Sequence, residues 1–120
     1  MNDQAIEQAI LAKGKTAARV TPADVEAEIA SEWYINGATG VVPDEFQPPV
    51  PAGHPLDMLN ICVLILRNGT KVVGINHGAI DPAAHKAGRG RQDARAQAVE
   101  KVWELLGFRL RDQLAAEASE

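Results

Sequence analysis

The stretch Asn60-Ile61-Cys62-Val63-Leu64-Ile65-Leu66-Arg67-Asn68-Gly69-Thr70-Lys71-Val72-Val73-Gly74-Ile75-Asn76 decides the fold. Aliphatic and β-branched residues fill both flanks of Asn68-Gly69. That dipeptide suits a two-residue type I′ turn, which needs positive φ at both central positions. A β-hairpin over 58–76 follows. A two-residue turn sets the register: Arg67 faces Thr70, Ile65 faces Val72 and Val63 faces Gly74. On the other side Leu66 meets Lys71, Leu64 meets Val73 and Cys62 meets Ile75. The first strand is apolar on both faces, and an isolated two-stranded ribbon is barely stable in water. Helices must cover one face. The second must be closed by the neighbouring proline-rich segment or by another copy of the chain, so a homodimer is expected.

Downstream, Asp81-Pro82 has the form of a helix start, with a capping carboxylate before a proline at the first helical position. A C-terminal helical region over 81–116 is expected, weakened near Gly88 and Gly90. From Arg91 the apolar spacing is regular. Ala94, Ala98, Val102 and Leu105 form a stripe flanked by Trp103 and Leu106. Gly107 reads as a cap or kink before a last short helix carrying Phe108, Leu110 and Leu114.

Upstream, residues 37–57 carry Pro43, Pro48, Pro49, Pro51 and Pro55 and read as a turn-rich loop. Val41-Val42 or Val50 could add a short edge strand. Before that loop, Thr21-Pro22-Ala23-Asp24 supplies a hydroxyl cap, a proline and an early acid. Val25, Ile29 and Trp33 follow at spacing four, which predicts a helix over 21–36. Residues 1–20 form an N-terminal arm with a short helix at 3–13, begun by Asp3 and ended by Gly14. The expected fold is α+β in a single domain, residues 1–120. A β-hairpin, extended by a short edge strand or by dimerisation, packs against an N-terminal helix and a long C-terminal helix.

Charge narrows the function classes. The 120 residues carry a net charge of −4, which argues against a protein that simply coats nucleic acid. The charge is unevenly placed. Residues 82–111 hold seven basic and three acidic side chains, and the rest of the chain holds five and thirteen. The single cysteine, Cys62, lies in an apolar run, so no intrachain disulfide forms and a buried, inert thiol is expected. No signal-peptide pattern opens the chain, and no apolar run is long enough to span a bilayer. A cytoplasmic setting and no membrane partner are the expectation.

The chemistry is sparse. His54, His77 and His85 lack metal-ligand spacing, no serine sits in a nucleophile-elbow pattern and Cys62 has no evident base. No enzyme, metal or cofactor is expected. The best binding candidates are Lys86, Arg89, Arg91 and Arg95, with His77 in the strand-to-helix turn. Arg91 and Arg95 stand one helical turn apart, and their planar guanidiniums suit phosphate or carboxylate. The alternative is a solvated face that pairs with the acidic helix at Asp24, Glu26 and Glu28.

Cys62-Val63-Leu64, Asn68-Gly69, Val73-Gly74 and Asp81-Pro82, together with Gly90-Arg91, Ala94-Arg95, Ala98, Lys101-Val102-Trp103-Glu104-Leu105, Gly107-Phe108 and Leu110, form a combined pattern. It resembles a family of small tailed-phage and prophage proteins, the phage gene-product-49/gene-66 family. Thr21-Pro22-Ala23-Asp24-Val25 and Trp33-Tyr34 resemble the family's opening, and the likeness spans roughly residues 20 to 114. Ile75-Asn76-His77-Gly78 and the long proline-rich loop depart from the usual pattern. The resemblance implies a phage or prophage accessory protein made in the cytoplasm of the bacterial host. The functional expectation is non-catalytic binding of a host regulatory or defence protein. One alternative is a sponge or sensor for an anionic nucleotide held by Arg91, Arg95 and the His77 turn. A second is a DNA-contacting factor.

Overall fold

A computed structural model describes residues 17–119. The fold is α+β. In chain order it has α1 (Pro22–Glu28), β1 (Ile29–Asn36), a 3-10 turn (Pro55–Met58), β2 (Asn60–Leu66), β3 (Lys71–Asn76), a second 3-10 turn (Pro82–Ala84) and α2 (Ala87–Ala118). The helix expected at 3–13 lies outside the described residues. The strands form one antiparallel sheet in the order β1-β2-β3. The described chain divides into two compact units, one of residues 29–101 and one of 17–28 with 102–119.

The helix predicted over 21–36 stops at Glu28, and residues 29–36 are strand β1 instead. Its start forms as expected. Asp24 N–H donates to Thr21 Oγ1 at 3.1 Å, and Thr21 N–H donates to Asp24 Oδ2 at 2.9 Å, a reciprocal capping box. Past Glu28 the chain gains more by pairing with β2. Trp33 sits across from Val63, Tyr34 from Cys62 and Ile35 from Ile61. β-Branched and aromatic side chains fit that pleated surface better than a helix. The edge strand sought at Val41-Val42 or Val50 thus comes from residues 29–36, while 37–54 hold no regular element.

The hairpin register differs by one residue from the expected one. Only Gly69 has positive φ in this turn, at 86°, so the type I′ conformation at Asn68-Gly69 does not form. Arg67, Asn68 and Gly69 make a three-residue loop. Gly69 N–H donates to the Leu66 carbonyl at 2.9 Å, and Leu66 N–H donates to the Thr70 carbonyl at 2.8 Å. Asn68 Oδ1 accepts from Thr70 N–H at 3.0 Å. A glycine in the left-handed region is the usual close of such a loop. Leu64 therefore faces Val72, Cys62 faces Gly74 and Val63 faces Val73. A slip of one residue moves every β3 side chain to the other face, so Val72 and Gly74 join Cys62 and Leu64.

That shared face is the core of the sheet unit. Cys62, Leu64, Leu66 and Val72 are buried, as are Ala94 and Ala98 of α2. Gly74 lets the helix approach. A Cβ there would stand 2.6 Å from the Ala98 nitrogen and closer still to the Ala94 carbonyl oxygen. α2 also seals the outer edge of β3. Gln97 Oε1 accepts from Ile75 N–H at 3.3 Å, and Lys101 Nζ donates to the Val73 carbonyl.

In the other unit, Val25, Val102 and Leu106 are buried. Arg109 grips Glu28 with two parallel hydrogen bonds, at 3.2 and 3.0 Å. The expected break at Gly107 is absent, for α2 continues to Ala118. A Cβ at 107 would meet open space. The glycine costs helix propensity, but nothing there ends the hydrogen-bond ladder.

Candidate functional site: a basic cleft and an open sheet face

Asp81-Pro82 starts a 3-10 turn rather than the long helix. Asp81 Oδ1 caps it by accepting from Ala83 N–H at 3.0 Å. The chain is extended again at His85, and α2 begins only at Ala87. This break leaves a cleft of about 490 Å³ between the end of β3 and the start of α2. Asn76, Gly78, His85, Lys86, Arg89 and Asp93 line it.

The floor is fixed by asparagines. Asn60 and Asn76 are cross-strand partners, and Asn60 is the buried polar residue of the sheet. Asn76 Oδ1 accepts from Gly78 N–H at 2.9 Å, and its Nδ2 donates to Asp93 Oδ2 at 3.4 Å. Gly90 lets α2 rest on this pair, since a Cβ there would lie 2.5 Å from Asn60 Nδ2. Arg89 pairs with Asp93 at 3.8 Å, one helical turn on, in a largely exposed contact. Exposed pairs of this kind contribute little. Lys86 has no carboxylate partner among the described residues.

The five sequence-predicted site residues are thereby split. Lys86 and Arg89 share the cleft. His77 is exposed and does not line it, although both its neighbours do. Arg91 and Arg95 turn to β1. The Arg91 guanidinium lies 5.6 Å from the centroid of the Tyr34 ring, a cation–π distance. Arg95 Nε donates to Glu32 Oε2 at 3.3 Å. Tyr34 O–H donates to the same carboxylate at 2.6 Å. The phenol bond, with Arg95 beside it, holds Glu32 below the ordinary carboxylate range. That bond, with desolvation and the nearby negative charge, pushes Tyr34 up to about 12. Burial raises the Cys62 thiol next to them, which makes it a poor nucleophile.

Sequence reasoning missed His85, Asn76 and Asp93 as lining residues. The usable signal was positional, since His85 lies within the break between Pro82 and Gly90 and Asn76 and Asp93 flank it. Of the other histidines, His54 is structural and caps the 3-10 turn at Pro55 through Nδ1, 3.2 Å from Leu56 N. No set of three His, Cys, Asp or Glu side chains able to hold a metal occurs among the described residues. No helix among them is long and apolar enough to cross a membrane.

The sheet's second face is different in kind. Ser31, Trp33 and Ile35 of β1 lie beside Ile61, Val63 and Ile65 of β2 and Lys71, Val73 and Ile75 of β3. Seven of these nine residues are apolar and none is acidic. Trp33 is 60 % exposed and Ile35 41 %, and Lys71 is exposed too, while the apolar β2 and β3 members are half-buried. Trp33 Nε1 donates to Ser31 Oγ at 3.1 Å, so its polar atom is satisfied within the face. The face is thus apolar and ordered, with a tryptophan exposed at one side.

No curated protein and no solved structure matches the chain. A family match spans residues 20–114, which takes in α1, the whole sheet, the cleft and most of α2. On that match the chain belongs to the phage protein (N4 Gp49/phage Sf6 gene 66) family.

Proposed function

We propose that this protein is a phage accessory factor that acts by contact rather than catalysis, binding a host regulatory or defence protein through the open sheet face. One observation carries this reading: Trp33 stands 60 % exposed on a rigid strand, at the margin of a continuous apolar surface. Aromatic residues on rigid elements are the usual anchors of protein interfaces. Membership of a phage protein family supports a setting in an infected bacterial cell. Affinity purification from host lysate tests the reading, with Val63→Glu as the control because Val63 sits mid-face on the central strand. One bacterial protein should be retained by the wild type, lost from Val63→Glu and kept by Lys86→Glu/Arg89→Glu. Clean pull-downs at low salt, or a partner indifferent to Val63→Glu, would sink the idea.

The cleft favours a second reading, an anionic nucleotide held by Lys86 and Arg89. Its volume falls within the usual range for small-molecule sites. In it Lys86 and Arg89 face a single carboxylate, Asp93. Calorimetric titration against a nucleotide panel separates the two readings. Lys86→Glu should abolish such binding, and Val63→Glu should leave it intact. A contact with DNA would instead show a steep loss of affinity with salt.

A further inference from the structure

We propose that β1 is a self-pairing edge, and that two copies of this chain join antiparallel along Ile29–Asn36 about a two-fold axis at Trp33 to make one six-stranded sheet. The two edges of the sheet are unequal. The outer edge of β3 is sealed by Gln97 and Lys101 of α2. Nothing among the described residues seals β1 at Glu32 or Tyr34.

Backbone parity identifies the free groups. Gly37 N–H donates to the Leu59 carbonyl at 2.8 Å, so past the register shift between Ile29 and Ser31 the odd-numbered residues of β1 point their main-chain groups at β2. Even-numbered ones point outward. The Asn36 carbonyl is already occupied, accepting from Gly40 N–H at 2.8 Å. The N–H and C=O groups of Glu32 and Tyr34 remain, an unpaired template of the kind that draws a further strand.

Side chains select the register. Two antiparallel copies of one edge can place only a residue opposite itself at the axis. An axis at Glu32 sets two carboxylates face to face, which is unfavourable. An axis at Tyr34 shortens the overlap and pushes it into the turn at Gly37. An axis at Trp33 pairs Glu32 with the partner's Tyr34, and Tyr34 with the partner's Glu32. Each of these pairs exchanges two main-chain hydrogen bonds. The charges are complementary too, because Arg91 lies over Tyr34 and so beside the partner's Glu32. On the open face Trp33 meets the partner's Trp33 and Ser31 meets the partner's Ile35. Each tryptophan loses part of its exposed area in an aromatic cross-strand pair. This complementarity with itself favours a second copy over an unrelated extended peptide.

Cysteine scanning of the full chain tests the register. At the axis the paired Cα atoms lie about 4.5 Å apart, within disulfide range. Mild oxidation should convert Trp33→Cys to a reducible covalent dimer. Ser31→Cys and Ile35→Cys should give no covalent dimer, because each lies about 13 Å along the strand from its own copy. Sedimentation of the wild type from about 1 to 500 μM should show mass-action dimerisation. Trp33→Lys, checked for folding by circular dichroism, should shift that equilibrium at least tenfold towards monomer. Should Trp33→Lys fail to fold, amide exchange of the wild type decides, because Glu32 and Tyr34 should gain protection as concentration rises. A wild type monomeric throughout overturns the proposal. So does cross-linking at Ser31→Cys in place of Trp33→Cys, or a dimer insensitive to Trp33→Lys. Protection of Glu32 and Tyr34 that appears only on adding a host protein also overturns it, and assigns the edge to that partner. The host-contact reading can fail separately, since Val63→Glu lies on the central strand and leaves the β1 edge intact.

Discussion

The sheet's two faces are built from alternate residues of the same strands, yet they are finished differently. The face carrying Cys62, Leu64, Leu66 and Val72 is buried, with Gly74 hard against the backbone of α2 at Ala94 and Ala98. The face carrying Trp33, Ile35, Val63 and Val73 is similarly apolar, but its largest side chain is mostly exposed. Hydrophobicity therefore does not distinguish them. What distinguishes them is residue size. A glycine facing two alanines lets a helix come down on one side, while a tryptophan and branched side chains leave the other proud. The covered face should account for stability and the open face for contact with other molecules.

Gly74→Val should give the largest effect. The new Cβ would displace helix backbone rather than a flexible side chain. Overpacking typically costs about 1–3 kcal/mol, and more where backbone must move. A loss of about 4 kcal/mol or outright unfolding is expected in urea titration. A Gly74→Val variant as stable as the wild type would mean that α2 does not sit on this face. Leu64→Ala should come next, at about 2–5 kcal/mol, because Leu64 is fully buried.

A matched pair on β3 makes the comparison sharper. Val72 is buried on the covered face, and Val73, its neighbour, is half-buried on the open one. Val72→Thr places a hydroxyl on the buried face and should cost about 1–3 kcal/mol. Val73→Thr should fall within about 0.5 kcal/mol, as surface substitutions do. The pair is read by chemical denaturation below the concentration at which the chain self-associates. Equal losses would show that the second face is also closed within a single copy.

Part of this was legible in the sequence. The two apolar flanks of Asn68-Gly69 specify the hairpin, Thr21-Pro22-Ala23-Asp24 specifies the start of α1, and the alanine spacing after Arg91 specifies α2. Residues 29–36 were not legible as a strand. Val25, Ile29 and Trp33 fall at helical spacing, and the partner that overrides that pattern, β2, lies beyond a long proline-rich loop. Nor was the register, since Asn68-Gly69 fits both a two-residue and a three-residue loop and the two differ by one residue in every pairing. The site was half legible. A basic helix start can be read from Lys86 to Arg95, but the division of Lys86 and Arg89 from Arg91 and Arg95 depends on β1 lying beside α2. A segment read as helix could not announce Glu32 and Tyr34 as partners for arginine.

The smallest expected effect lies at the margin between the two faces, in the bond from Tyr34 to Glu32. Tyr34 is the one tyrosine of the chain, so its ionisation can be followed by ultraviolet absorbance without overlap from another phenol. The folded value stands at about 12 against an ordinary 10.0. A phenol with a raised folded pKa stabilises fully below the unfolded value and ceases to do so as pH rises from about 10 towards 12. Glu32 behaves oppositely. Its folded pKa is lowered from 4.5, so its contribution is complete above that value and is lost as pH falls through the folded one. Both contributions coexist between about pH 5 and 10 and fade outside it. Glu32→Gln removes the charged acceptor and should bring the Tyr34 midpoint back towards 10, with little change in stability at neutral pH because the carboxylate is 40 % exposed. A wild-type midpoint already near 10 would show that the hydroxyl is not held by Glu32, and would leave Arg95 as the carboxylate's partner on this edge.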